Sequence, residues 1–402
     1  MKKISFRAVF LLTGIVCLFN TCKKLPPPDE FDPSGTRLHV VWCKPFYTDS
    51  SQAVMLAPII TDRYVSVLGI SYGKLENHIV VFDKTNGERH PVWQNGISCE
   101  TNNTIAKNLL AGGSNKDILF CATPKSLRAF SIPTGQPLWT SIYDENNGYF
   151  NGYPIIFGSD ILAISPIKNI CHIDQYNSYT GQKTTLFSFN EYANAIQWAV
   201  NEQKDTLFFF FNFQNTYCYN LTKDSIVWKN TLNIEYNSPT SFHPIIVENK
   251  YVLFQRNSTV SCVDFYTGEL IWTVRTYPIP DNPILYHEGK IVVRPNYESP
   301  SCYDVRTGDL LWKNTDLNMG TASNFKMDTY KGNLYFTIEQ GNISNPPLLY
   351  CLSLATGTVN WSDPGPDKGI IGSITIDQQT GYLYCSSRQS VMCIDLNKTP
   401  KK

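Results

Sequence analysis

The sequence predicts an all-β fold, namely an eight-bladed β-propeller of four-stranded antiparallel blades whose ring is closed by the N-terminal strand completing the C-terminal blade. Three observations predict it. A tight turn precedes a tryptophan at a fixed spacing, this unit recurs with a mean period of 45 residues between Gly87 and Gly357, and the two chain ends carry complementary incomplete copies. This period is typical of four-stranded propeller blades rather than of helical repeats.

Seven copies of the repeat can be read between the two chain ends. In four clear copies a Thr-Gly turn is followed, four residues after its glycine, by Trp139, Trp272, Trp312 or Trp361. In three degenerate copies the corresponding aromatic residues are Trp93, Phe187 and Trp228. A single such turn would carry little information, so the prediction depends on the repetition.

Residues 251–274 show how one repeat forms its strands. Tyr251–Phe254, Thr259–Val263 and Glu269–Val274 are predicted to be three strands of a β-meander. The turn Asp264–Gly268 begins with a short polar side chain, which can bind backbone amides, and ends with glycine, which supplies the positive φ that the turn needs. Short polar residues occupy the first turn position in all seven copies, at Asp83, Ser131, Asn177, Asn220, Asp264, Asp304 and Ser353.

The chain ends indicate the number of blades. An eighth strand, Val391–Leu396, places Cys393 where four other repeats have a cysteine ten residues before their tryptophan, but the chain ends at residue 402. Near the N-terminus, Leu38–Cys43 contains Trp42 without a preceding turn. We therefore expect this strand to complete the last blade, which removes an open sheet edge. The alternative is seven blades and an additional hairpin.

Segments 260–272 (VSCVDFYTGELIW) and 300–312 (PSCYDVRTGDLLW) resemble the pyrroloquinoline-quinone-type propeller repeat, and the resemblance covers about residues 38–397. It does not determine function, because this repeat builds both quinone-dependent alcohol dehydrogenases and the non-enzymatic lipoprotein of the outer-membrane β-barrel assembly machinery. The resemblance implies that one aromatic residue per blade docks against the neighbouring blade. These residues are Trp42, Trp93, Trp139, Phe187, Trp228, Trp272, Trp312 and Trp361.

The N-terminal residues predict export. Lys2, Lys3 and Arg7 precede the apolar run Ala8–Phe19, which fits the hydrophobic region of a secretory signal and is too short to span a bilayer. Leu18–Cys22 then resembles a relaxed bacterial lipoprotein box. The alternative is ordinary signal cleavage without a lipid.

Three segments follow from this interpretation. We expect residues 1–21 to be a lipoprotein signal peptide, residues 22–36 a proline-rich tether that begins with lipidated Cys22, and residues 37–402 a single propeller domain. The predicted location is therefore a membrane-anchored one in the cell envelope, most simply at the outer membrane. The sequence does not distinguish the periplasmic side from the outer surface.

Charge and cysteine usage exclude some classes of function and structure. With 34 basic and 34 acidic residues and no basic cluster, nucleic acid is not an expected partner. Of the twelve cysteines, five occupy one slot in separate blades, too far apart to be bridged, and are expected to be small buried side chains. A bridge between Cys385 and Cys393, on strands expected to pair, is left open.

Catalytic, metal and cofactor motifs are not found in the sequence. The six histidines are scattered, there is no Cys-x-x-Cys, and no glycine-rich loop opens a helix. A quinone-dependent dehydrogenase of this family usually carries a disulfide between adjacent cysteines and a calcium site, and this sequence has no adjacent cysteine pair. We therefore expect no cofactor, no metal and no enzymatic activity. The alternatives are a quinoprotein dehydrogenase and a polysaccharide-active propeller enzyme.

The remaining hypothesis is a non-catalytic, lipid-anchored binding or scaffold protein of the cell envelope that acts through its propeller loops. Its partner would be an envelope protein or a glycan. Two insertions combine aromatic residues with turn-forming ones, and exposed rings on such loops can anchor a partner. The aromatic residues in them are Tyr149, Phe150, Tyr153 and Tyr277. The alternative is that these rings pack on neighbouring loops.

Overall fold

The computed structural model of the protein describes most of the chain from Thr36 to Thr399. The described residues are 36–46, 52–54, 57–71, 76–93, 97–100, 108–123, 125–142, 154–167, 170–191, 193, 195–212, 215–231, 243–256, 258–276, 284–295, 298–317, 326–338, 348–366, 369–387 and 390–399.

Eight antiparallel sheets make up the fold, and each sheet is one blade. Blade 1 contains β2 (Gln52–Val54), β3 (Ile59–Ile60), β4 (Tyr64–Ser71), β5 (Glu76–Asp83) and β6 (Ile97–Glu100). Blade 2 contains β7 (Asn108–Gly112), β8 (Ile118–Ala122), β9 (Ser126–Ser131) and β10 (Pro137–Ile142). Blade 3 contains β11 (Ile155–Phe157), β12 (Asp160–Ile167), β13 (Ile170–Tyr176) and β14 (Lys183–Phe189). Blade 4 contains β15 (Ala195–Val200), β16 (Thr206–Phe211), β17 (Asn215–Asn220) and β18 (Ser225–Thr231).

The remaining blades repeat this arrangement. Blade 5 contains β19 (Ile245–Val247), β20 (Tyr251–Arg256), β21 (Thr259–Asp264) and β22 (Leu270–Arg275). Blade 6 contains β23 (Ile284–His287), β24 (Lys290–Val293), β25 (Ser301–Asp304) and β26 (Leu310–Lys313). Blade 7 contains β27 (Asp328–Tyr330), β28 (Asn333–Ile338), β29 (Leu348–Ser353) and β30 (Val359–Asp363). Blade 8 contains β31 (Ile371–Asp377), β32 (Tyr382–Ser386), β33 (Ser390–Asp395) and, from the N-terminus, β1 (Val40–Pro45).

The eight-bladed propeller and its closure by the N-terminal strand are confirmed. Strand β1 pairs antiparallel with β33, and Trp42 lies opposite Cys393. The junction with blade 1 is held at Lys84, whose ammonium lies 2.5 Å from an Asp377 carboxylate oxygen. Burial raises the pKa of the Asp377 carboxyl, but the hydrogen bond from Lys84 and further hydrogen bonds outweigh it and lower the pKa. The N-terminal strand β1 and the C-terminal strand β33 therefore lie in one blade, and the sequence alternative of seven blades is wrong.

The hydrophobic core is divided between the junctions of the ring. The described residues form eight clusters of buried side chains, and each cluster joins two neighbouring blades. The first strands of neighbouring blades also contact one another, for example β15 with β19 and β31 with β3, so these strands lie nearest the axis. Each blade is too small to bury its own faces, and its stability depends on the blades beside it.

Six tryptophans hydrogen-bond the next blade at an equivalent position; five lie on outer strands, and Trp93 ends a short 3₁₀ helix, Pro91–Trp93. Each indole N–H donates to the carbonyl of the second residue of the following turn, at 2.8 to 3.2 Å. The donors Trp42, Trp93, Trp139, Trp228, Trp272 and Trp312 bind, in that order, the carbonyls of Lys84, Ile132, Ser178, Phe265, Val305 and Leu354. A buried indole N–H requires a hydrogen-bond partner, and the turn of the next blade supplies the acceptor.

Two junctions depart from this pattern. Phe187 has no side-chain N–H, and its ring stacks on that of Tyr219 in blade 4, with ring centroids 4.1 Å apart. Trp361 packs among buried residues of blades 7 and 8, and its ring lies 6.0 Å from the ring of Tyr335 in its own blade. The contact of Phe187 with Tyr219 therefore joins two blades by ring packing, to which an aromatic pair contributes about 0.5–1.5 kcal/mol beyond its buried area.

The turn glycines have a second role that the sequence did not show. Gly308 has a φ of +74°, and a Cβ atom built on it would lie 2.8 Å from Cγ of Trp272. The same close approach to the preceding blade's indole occurs at Gly87, Gly181, Gly268 and Gly357. Glycine is thus required here both for the left-handed backbone and for the space that the indole occupies.

The nine cysteines whose side chains the structure describes form no disulfide, and all of them except Cys43 are buried. The five that share one slot lie opposite the blade aromatic, as Cys262 lies opposite Trp272. Cys385 lies opposite Met392, whereas the next position pairs Tyr384 with Cys393. Because successive side chains point to opposite faces of a strand, Cys385 and Cys393 face different neighbouring blades and are not bridged.

A pair of glycine substitutions separates the two roles of the turn glycine. We expect Gly289→Ala to cost about 1–2 kcal/mol, because Gly289 also has a positive φ (+77°) but has no atom within 4 Å of the added Cβ. Gly308→Ala should cost about 1–3 kcal/mol more, because the added Cβ overlaps Trp272. Urea denaturation of both variants measures the difference. Equal losses would show that the indole does not need the glycine.

Candidate functional site

The two faces of the ring differ in the connections that they carry. Because the strands of a blade alternate in direction, the links between its first and second strands and between its third and fourth strands lie on one face, named here the turn face. The links between second and third strands and from one blade to the next leave from the opposite face, named here the connection face. The longest spacings between described strands, such as Ile142 to Ile155 and Thr231 to Ile245, leave from the connection face.

The predicted partner residues lie outside the described residues. Tyr149, Phe150 and Tyr153 fall between β10 and β11, and Tyr277 falls between β22 and β23. The described strands that flank the two segments end and begin at the connection face. The predicted lipidation site, Cys22, also lies outside the described residues.

A pocket of about 530 Å³ opens beside the axis of the ring and is the candidate functional site. We call it the axial pocket. Its walls come from the starts of the first strands of blades 4 to 7, and the starts of these strands lie at the connection face. The lining residues are Gln197, Trp198, His243, Pro244, Ile245, Ile246, Ile284, Leu285, Lys326 and Met327.

Trp198 gives the pocket a fixed aromatic wall. Its indole N–H donates to the carbonyl oxygen of Ile156 in blade 3 at 2.8 Å. Phe157 packs edge-on against it, with ring centroids 4.9 Å apart and an interplanar angle of 81°. The side chain is therefore held from the side of blade 3 while it lines the pocket.

His243 bridges two blades at the pocket wall. Its Nδ1 lies 2.8 Å from the carbonyl oxygen of Ile196 in blade 4. Because a carbonyl can only accept, this contact places the proton of the neutral ring on Nδ1. Burial lowers the pKa of His243 to about 4, although the hydrogen bond to Ile196 acts in the opposite direction. The imidazole is therefore uncharged at neutral pH.

Lys326 is the cation of the pocket wall. Its backbone N–H donates to Ser373 Oγ at 3.0 Å, which ties the residue to blade 8, and its side chain is exposed. Among the described residues its ammonium forms no ion pair within 4 Å. Nearby Asp328 accepts backbone hydrogen bonds from Thr329 and Ile376, and burial raises the pKa of its carboxyl despite the charge of Lys326.

Sequence reasoning did not identify the axial pocket, although one signal for it was present. Of the eight tryptophans, Trp198 alone was not assigned to the blade-docking position of a repeat, so the repeat does not explain it. His243 is one of the scattered histidines of the sequence, and the structure places it two residues before β19. Lys326 has no local signature, because its position follows only from the assembled ring.

Comparison with known proteins gives the family. A family profile described as "Outer membrane protein assembly factor BamB" matches residues 124–399, which is more than two thirds of the chain. The chain belongs to this family. No curated protein sequence matches it significantly. The resemblance to the quinone-type propeller repeat is thereby confirmed.

Solved structures share the fold at low sequence identity. BamB from Moraxella catarrhalis has a TM-score of 0.61 at 12% identity, covering 89% of this chain and 100% of that one. The computationally designed Ika8 protein has a TM-score of 0.63 at 12% identity, with the same coverage. Quinohemoprotein alcohol dehydrogenase from Comamonas testosteroni has a TM-score of 0.65 at 10% identity, covering 89% of this chain and 76% of that one. At these identities the likeness shows the fold alone.

The axial pocket does not fit a calcium-dependent quinone cofactor of the kind that the dehydrogenase resemblance implies. Calcium binds oxygen ligands, mainly carboxylates, and the residues that line the pocket include no aspartate or glutamate. Across the described part of the chain, no group of three or more His, Cys, Asp or Glu side chains could hold a metal ion.

The pKa of His243 predicts an acid-dependent loss of stability. The folded state holds a neutral ring down to about pH 4, whereas the unfolded ring takes up a proton near pH 6.5. Stability is therefore fully present above pH 6.5 and decreases as the pH falls towards 4, by at most about 3 kcal/mol.

We expect His243→Asn, which keeps a donor for the Ile196 carbonyl, to remove this part of the pH dependence. The measurement is the free energy of unfolding in urea at several pH values between 7 and 4. His172→Asn is the control, because His172 lies on β13 and contacts Ser188 instead of the pocket. An unchanged slope in the His243 variant would contradict the assignment.

Proposed function

We propose that this protein is a lipid-anchored, non-catalytic scaffold of the bacterial cell envelope that binds a protein partner on its connection face. The observation that carries the proposal is the asymmetry between the two faces of a ring in the BamB family. One face has tight, nearly equivalent turns, and the other carries the long links between blades. Variable segments on a rigid scaffold are the usual place for binding residues.

The turn face offers little variation for recognition. Its turns repeat one hydrogen-bond pattern, in which the glycine N–H binds the carbonyl of the first turn residue, as Gly268 binds Asp264 and Gly308 binds Asp304. The backbone carbonyls of these turns also accept hydrogen bonds from the indoles of the preceding blades, so a change in a turn would disturb the contact between blades. A partner surface that can vary between proteins is therefore better placed on the connection face.

The ring itself supports a binding role because it holds in place the strands from which the connection-face links leave. The junction between blades 6 and 7 combines the Trp312 indole bond with two buried polar contacts. Arg294 donates to the Thr337 carbonyl at 2.7 Å, and the Asn314 amide donates to the Gly357 carbonyl at 2.7 Å. A surface that does not reorganise on binding loses less conformational entropy, which favours affinity.

The anchor part of the proposal rests on the predicted signal and on Cys22. Among the described residues no helix is both long enough and apolar enough to cross a membrane. A lipid on Cys22 would hold the ring through the tether of residues 22–36, whose extended length is at most about 50 Å. The tether joins the ring at the start of β1, which lies opposite the end of β33 and therefore at the turn face.

Replacing the lipidated residue tests the anchor. We expect Cys22→Ala to move the protein from the membrane fraction to the soluble envelope fraction, because the thiol that carries the lipid is lost. Cys43→Ala, in the ring-closing strand β1, is the matched control and should remain with the membrane. The proposed anchor is wrong if both variants fractionate together with the wild-type protein.

Site-specific photo-crosslinking tests the docking face. A photoreactive phenylalanine analogue placed at Tyr149, on a connection-face segment, should crosslink to an envelope protein in intact cells. The same analogue at Tyr266, which is 41% exposed in a tight turn of the turn face, is the matched control and should give no specific adduct. Equal adducts at both positions, or none at either, would contradict the proposed face.

A further inference from the structure

We propose that the axial pocket receives a large apolar side chain of a partner polypeptide and that Lys326 pairs with a carboxylate next to that side chain. This inference rests on the proposed function, because it names the place on the connection face where the partner is anchored. Three features of the pocket favour this proposal: the side chains of its walls, its charge and its position in the ring.

The walls favour a large apolar side chain. Ile245, Ile246 and Leu285 are half-buried and supply aliphatic surface, and half-buried Trp198 supplies an aromatic side chain. The volume of about 530 Å³ lies within the usual range for binding pockets of about 300–1,000 Å³. Large apolar and aromatic anchors in such pockets carry most of the binding energy at protein interfaces.

The walls are also held in place before anything binds. The Trp198 indole is tied to Ile156, the His243 ring to Ile196 and the backbone of Lys326 to Ser373. These three bonds join the first strands of blades 3, 4, 5, 7 and 8 around the axis. A partner side chain would therefore enter a formed cavity and need not order it, which lowers the cost of binding.

The charge of the pocket favours a carboxylate close to the apolar group. The lining residues include no carboxylate, and His243 is neutral at physiological pH, so Lys326 is the charged group of the wall. Its exposed ammonium forms no ion pair within 4 Å among the described residues. Asp328 contributes a nearby carboxyl, but that group is partly buried and accepts two backbone hydrogen bonds. A basic group on a partner would be repelled by Lys326, whereas an acidic group would be complementary to it.

The position of the pocket favours a polypeptide as its occupant. Three links between blades enter their first strands at the pocket wall, directly before His243, Ile284 and Lys326. A chain docked on the connection face therefore lies against the pocket mouth, and one side chain can enter while its neighbours contact the surrounding surface. The pocket adds an anchor to a broader interface and is continuous with it.

Lys326 and Lys331 offer a matched pair of variants for the test. They flank the same short strand, β27, with Lys326 on the connection face and Lys331 on the turn face, and both are exposed. Lys326→Ala removes the charge and Lys326→Glu reverses it, while Lys331→Glu makes the same reversal on the opposite face. Gln197→Trp narrows the pocket without changing any charge.

The probe is a phage-displayed library of random linear dodecapeptides, selected on the purified propeller. We expect enriched sequences to place Trp, Phe or Leu within two residues of Asp or Glu. The best peptide, measured by fluorescence anisotropy, should bind Lys326→Ala about fivefold more weakly and Lys326→Glu more weakly still. It should bind Lys331→Glu as it binds the wild type, and Gln197→Trp should abolish binding.

Two results separate a failure of this inference from a failure of the proposed function. If the crosslink at position 149 forms but no peptide depends on Lys326 or Gln197, the partner docks elsewhere on the connection face and the pocket assignment is wrong. If that crosslink is also missing, the proposed function fails as well. Circular dichroism and thermal denaturation of each variant confirm that loss of binding is not loss of fold.

Discussion

The structure depends on one recurrent contact, in which an outer-strand indole of one blade is seated on the turn of the next. The contact has three parts: an N–H bond to a turn carbonyl, ring packing in the core between the blades, and a glycine that leaves room for the ring. No blade buries its faces alone, so folding and ring closure are linked. The N-terminal strand completes this system, because Trp42 makes the same contact from blade 8 to blade 1.

The sequence predicted the fold well because the contact leaves a local signature. The turn, its glycine and the tryptophan lie within ten residues of each other, and seven repetitions make the pattern secure. The surface against which each indole packs was not predicted, because the indole of Trp272 packs against Gly308, in a turn about 35 residues further along the chain. Only the assembled ring shows why that turn needs glycine for space as well as for φ.

The candidate site was harder to predict for the same physical reason. Trp198, His243 and Lys326 come from three blades, and their positions share no spacing. What joins them is the convergence of first strands at the axis, which is a property of the closed ring. This convergence cannot be read from the sequence, but it gives the site a formed shape. That shape is suited to recognition by a partner on the connection face.

Hydrogen exchange of the indole N–H groups, followed by NMR on protein with ¹⁵N-labelled tryptophan, tests the central claim most directly. If the ring is one cooperative unit, the Trp42 indole proton should exchange as slowly as those of Trp228, Trp272 and Trp312, because each is released only when the ring unfolds. Much faster exchange at Trp42 alone would show that the N-terminal strand opens separately. The closed ring would then not be the element on which the structure depends.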